Sequence, residues 1–116
     1  MKSLALKEKL LKSKANLLSG KRNPELLSIL RAKFPGTTDN FFIVGWIPEQ
    51  EEDIFTILVN GKKIVEIEIS RISPAENPVR CDVLTVQEYL KQNPALSKTT
   101  RRKLDAAIQL SQHRDV

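Results

Sequence analysis

Apolar residues fall at helical spacing over residues 3–18. Leu4, Leu11 and Leu18 stand seven apart, with Leu10, Ala15 and Leu17 beside them and Lys7, Lys9, Lys12 and Lys14 among the other positions. This predicts an amphipathic helix. Ser19-Gly20 closes it, because glycine tolerates the left-handed conformation that ends a helix. The heptad spacing would suit a coiled-coil seam, but Pro24 stops it too early. A second helix is predicted over residues 24–34. Asn23 suits the N-cap, Pro24 the first helical position and Glu25 the positive end of the helix dipole. Leu26, Leu27, Ile29, Leu30 and Phe34 form its apolar stripe, and Pro35-Gly36 ends it.

The period then shortens to that of strands. "NFFIVGWIP", "DIFTILV" and "KKIVEIEIS" are rich in β-branched and aromatic residues, and Asn60-Gly61 between the last two is a strong hairpin signal. A two-residue turn would set Val59 opposite Lys62 and mix apolar with charged residues on one face. A three-residue loop, with Gly61 left-handed in a bulge, sets Leu58 opposite Lys62. Phe55, Ile57, Val65, Ile67 and Ile69 then share one face, and Thr56, Leu58, Ile64, Glu66 and Glu68 the other. The second register is preferred because it gives one clean apolar face on which helices can pack.

"RISPAENPVRCD" lacks a period and reads as a loop. Thr85 and Glu88 then match a capping box, with Leu84 placed to staple onto Tyr89, so a helix is expected over residues 86–92. A last helix runs over 98–112, with Ser97 as N-cap. The expected fold is α+β: two N-terminal helices, a three-stranded antiparallel β-meander and two C-terminal helices. It forms one domain over residues 1–116, in which the basic helix of residues 1–22 either docks on the core or lies at its periphery. The order of one helix, three strands and a basic closing helix resembles that of double-stranded RNA-binding domains. A further helix separates the third strand from the last helix, and no family is assigned.

Composition narrows the function. With 41% apolar and 28% charged residues the chain has the balance of a soluble globular protein. Its longest uncharged apolar stretch, Phe41 to Pro48, is too short to span a bilayer. Lysines interrupt the N-terminus, which lacks the apolar core of a secretory signal, so a cytoplasmic location is expected. A single His, His113, and a single Cys, Cys81, leave no nucleophile–base pair, disulfide or zinc set, and the four glycines form no phosphate loop. Arg80 beside Cys81 could lower the thiol pKa, but no partner for it is evident. No enzyme activity and no cofactor or metal is expected. The one arrangement that could hold a metal is Glu66 and Glu68, of equal strand parity, joined by Asp53 from the acidic group Glu49, Glu51, Glu52 and Asp53. That would suit a magnesium-dependent nuclease, a weaker alternative because such strands usually carry a lysine where Glu68 stands.

Net charge is +5, unevenly spread. Residues 1–22 carry seven basic and one acidic residue, residues 23–88 six and eleven, and residues 89–116 six and two. In the last helix Thr100, Leu104, Ala107, Ile108 and Ser111 share the inward side. Lys98 and Arg102 point away from it, and Arg101 and Lys103 flank it on opposite sides. The basic residues thus form a crown around the first turns. Cations at a helix N-terminus are mildly unfavourable, and an anion there would reverse the sign. The leading expectation is a non-catalytic protein that binds DNA or RNA phosphates through Ser97, Lys98, Thr99, Arg101, Arg102 and Lys103, with the N-terminal lysines assisting. The helix pair 86–92 and 98–112 is also ordered like a helix–turn–helix, although its "NPAL" turn holds a proline. The alternative is a protein-interaction module, a homodimer or the receiver of an acidic protein partner. The aromatic residues are few, and because most of them fit the core pattern they speak against base stacking as the main mode.

Overall fold

Capping, glycine and turn chemistry set the helix ends. In the computed structural model, which describes residues 2–20, 24–37, 39–70 and 80–112, α1 spans Lys2–Ser19 and α2 Pro24–Lys33. Asn23, residues 71–79 of the expected loop and His113 lie outside the described residues. Gly20 takes a left-handed φ of 71° and its N–H donates to Leu17 O at 3.1 Å, which closes α1. Helix α3, Val86–Gln92, carries the expected capping box: Glu88 N–H donates to Thr85 Oγ1 at 3.0 Å, and Thr85 N–H to Glu88 Oε1 at 2.8 Å. Leu84 and Tyr89 pack in one cluster, as the staple requires. Helix α4 spans Lys98–Gln112.

The sheet has four strands among the described residues, one more than the sequence pattern gives. β1 (Phe41–Pro48), β2 (Glu52–Val59), β3 (Lys63–Ser70) and β4 (Arg80–Thr85) follow one another as an antiparallel meander. The extra strand is β4, in residues expected to be loop. Its polar character has a structural reason. Arg80 and Asp82 pair in register with Glu68 and Glu66 on one face, where Arg80 bridges Glu68 at 3.1 Å and Asp82 at 3.2 Å. Charges can thus occupy a strand without disturbing the apolar face.

The β2–β3 register keeps the expected faces but slips by two residues. Val59, not Leu58, begins the pairing, and it faces Lys63. Asn60 and Gly61 both have positive φ, 56° and 69°, and Lys62 N–H donates to Val59 O at 3.1 Å. These are the marks of a type I′ turn, with Lys62 as one extra residue before the ladder starts. The turn is tied to its surroundings. Asn60 N–H donates to Asn40 O at 2.9 Å, Asn60 Nδ2 to Thr37 Oγ1 at 2.7 Å, and Val86 N–H to Lys62 O at 3.3 Å.

Both faces of the sheet are covered, where a single helix-bearing face was expected. On one face Phe41, Phe55, Ile57, Val59, Val65 and Ile67 pack with Leu17 of α1 and Leu26, Leu27 and Leu30 of α2. On the other, Phe42, Val44, Leu58 and Ile64 pack with Leu10 of α1, Tyr89 of α3, and Leu104, Ala106 and Ala107 of α4. The second face was read as partly charged, and it divides along its length. Its half near the Asn60-Gly61 turn is apolar and covered, while its far half carries Glu66, Glu68, Arg80 and Asp82. Helix α1 serves both clusters and packs against β1, so it passes along the β1 edge of the sheet. Its inward positions are Leu10 and Leu17, each 1% exposed. Leu4 and Leu11 of the expected stripe are instead 61% and 47% exposed.

Candidate nucleic-acid interface

The expected crown at the start of α4 is divided by its neighbours. Ser97 caps the helix: Thr100 N–H donates to its Oγ at 3.2 Å, and the Ser97 hydroxyl donates to Thr100 Oγ1 at 2.9 Å. Part of the N-terminal hydrogen-bonding capacity is thereby used within the helix. Arg101 reaches along its own helix to Asp105 at 3.4 Å, an exposed i,i+4 pair of small energetic weight. Lys98 is exposed. Arg102 and Thr99 turn to one side of α4 and Lys103 to the other.

What joins these residues to further cations is the packing of α1 beside α4. On one side of that contact Lys7 and Lys9 of α1 and Thr99 and Arg102 of α4 line a groove of about 640 Å³. On the other side Lys9 and Lys12 of α1, Lys103 of α4 and Trp46, Asp53 and Phe55 of the sheet line a second groove of about 540 Å³. Lys9 borders both. Lys14 places its ammonium 4.9 Å from the ring centroid of Phe42 and so belongs to the packing of α1 on the sheet. The two basic segments of the sequence therefore meet on one side of the fold. Of the two helices ordered like a helix–turn–helix, α4 packs mainly on α1, β1 and β2 and α3 on β3 and β4, and the two meet where Tyr89 shares a cluster with Leu104, Ala106 and Ala107.

Trp46 is a residue that the sequence pattern does not single out. Strict alternation from Phe42 and Val44 would bury it with them. Instead the β1–β2 pairing slips between Ile43 and Gly45, leaving Val44 as an extra residue. This bulge returns Trp46 to the face of Phe55, its cross-strand partner. The rings lie 6.4 Å apart and within 9° of parallel, and the indole Nε1–H donates to Asp53 Oδ1 at 3.0 Å. Trp46 remains 59% exposed. The signal was in the sequence: Gly45 inside an otherwise apolar strand is a common mark of a bulge.

The acidic residues do not gather as the nuclease alternative requires. Asp53 lies on the face of Phe55 and Trp46, while Glu66 and Glu68 lie on the opposite face. Among the described residues no group of three or more His, Cys, Asp or Glu side chains is placed to share a metal ion. Glu52 instead approaches Glu68. Their side-chain hydrogen bond, partial desolvation and the charges of Glu68, Glu51 and Glu49 raise the Glu52 pKa. Cys81 is not activated by its neighbour Arg80. Burial, offset in part by Lys33, pushes its thiol pKa up, and Arg80 is engaged by Glu68 and Asp82.

No helix among the described residues is long and apolar enough to cross a membrane. No protein-family model matches the chain, and neither a curated protein nor a solved structure matches it.

Proposed function

We propose that this chain is a cytoplasmic binding protein, not an enzyme, and that its ligand is nucleic acid held through the phosphate backbone. The observation that carries this reading is the packing of α1 beside α4, which puts Lys7, Lys9, Lys12, Arg102 and Lys103 around two grooves with a shared border at Lys9. Lysine and arginine along a groove neutralise successive phosphates and release their counterions on binding. Thr99 adds a hydroxyl in one groove, and Lys98 and Arg101 extend the basic surface beyond the grooves. The centre of the interface moves from the tip of α4, where the sequence pattern set it, to the α1–α4 contact.

The test is fluorescence anisotropy with labelled single-stranded and duplex DNA and RNA over a range of salt. The wild type is compared with a variant carrying Lys9→Ala, Arg102→Ala and Lys103→Ala. Micromolar binding that weakens steeply with salt is expected. The log–log slope should be shallower in the variant by about one for each phosphate it no longer neutralises. Absence of binding to every nucleic acid at low salt would overturn the reading.

A second reading rests on a separate observation. Leu4 and Leu11, seven apart on α1, are 61% and 47% exposed, which suits a seam with a second copy of the chain. Sedimentation at several protein concentrations distinguishes it, because this reading predicts a mass above that of one chain.

A further inference from the structure

We infer that the groove at the β1 edge is a base-stacking subsite for single-stranded nucleic acid, with Trp46 as its platform. This inference rests on the phosphate-binding reading and adds the class of ligand. Three observations carry it. Trp46 is 59% exposed, although its ring is a large apolar surface. The ring is held in place by its near-parallel contact with Phe55 and its hydrogen bond to Asp53 at 3.0 Å, so little orientation is left to lose when a second ring stacks on it. Lys9, Lys12 and Lys103 line the same groove, where they can take the phosphates that flank a stacked base.

An exposed aromatic ring set among lysines is the combination with which proteins grip single strands: stacking on the base and charge on the backbone. A duplex offers its phosphates to such a groove but keeps its bases in the stack. A single strand can turn one out. The side of the site is fixed as well. Glu49 and Glu51 lie in the β1–β2 connection beyond Pro48, and Glu52 begins β2. Their charge repels a polyanion, so the strand leaves Trp46 toward α1 and α4. Asp53 also lines the groove and keeps its negative charge while its Oδ1 accepts from the indole, and Lys9, Lys12 and Lys103 outnumber it there.

Trp46 is the only tryptophan in the chain, so emission excited selectively at tryptophan, beyond the absorption of Tyr89, reports on this groove alone. The experiment titrates the full-length protein at low salt with four probes: oligothymidylate, oligouridylate, an abasic deoxyribose phosphate oligomer of the same length, and polyglutamate. Affinity is read by anisotropy of the labelled probe and stacking by quenching of Trp46. Oligothymidylate or oligouridylate should quench the emission and bind roughly tenfold more tightly than the abasic oligomer. Quenching by either strand supports the site. Trp46→Ala should bring the affinity for strands with bases down to that for the abasic oligomer.

Equal affinity for the base-bearing and abasic strands, without quenching, would overturn the stacking site and leave the phosphate reading standing. Polyglutamate binding as tightly as oligothymidylate would overturn it in favour of an acidic protein partner. No binding of any nucleic-acid probe would overturn both readings. The quenching is measured on the wild type, so the test does not depend on the stability of the variant.

Discussion

Gly61 meets two constraints at once. Its φ of 69° is one that side chains rarely adopt, and a Cβ there would stand 2.9 Å from Ser111 Cβ on α4. Gly61→Ala should therefore cost about 1–3 kcal/mol, read as a lower urea midpoint. A shift too small to measure would mean that the turn relaxes away from α4. Glu52 makes a prediction of opposite sign. Its pKa is raised, so the native state binds this proton more tightly than the unfolded chain does. Above that pKa the ionised group destabilises the fold through its repulsion from Glu68, and falling pH relieves the repulsion as the group is protonated. Glu52→Gln should accordingly raise the melting temperature at neutral pH, and the gain should shrink as pH falls through the raised pKa. A lower melting temperature at neutral pH would show that the carboxylate supports the sheet.

Helix α1 shows both how far a pattern reaches and where it stops. Its ends are legible from Gly20 and the leucine spacing, but its rotation is not. Leu10-Leu11 and Leu17-Leu18 are adjacent pairs, so two stripes about 100° apart fit the sequence equally well. Tertiary packing decides between them, and it buries Leu10 and Leu17. Leu10→Ala should cost about 2–5 kcal/mol in chemical denaturation. Leu11→Ala should change the stability of a monomer by less than about 0.5 kcal/mol. Equal losses of stability at the two positions would point to the seam with a second copy. Strand β4 was hidden for a different reason. Arg80 and Asp82 make it look like loop, and only the row of acids on β3 shows what the charges are for. The cap of α3 was fully legible, because Thr85 and Glu88 hydrogen-bond locally and need no partner from elsewhere.

At the scale of the whole molecule the charge is two-sided. Cations from α1 and the start of α4 gather along the grooves, and the carboxylates of Glu49, Glu51 and Glu52 gather at the β1–β2 end of the sheet. The site could be read from the sequence only as two separate basic segments, because their meeting depends on α1 lying beside α4. A polyanion approaching this surface is drawn to one side and turned from the other, and salt weakens both effects. The same contact sets an order of assembly. Each strand pairs with its sequence neighbour, so the meander can close as soon as its residues are available. Leu10, however, shares its cluster with Leu104, Ala106 and Ala107. During synthesis, α1 therefore waits for α4 before its packing is complete. The basic grooves that its clasp creates come into being only when α4 has taken its place beside it.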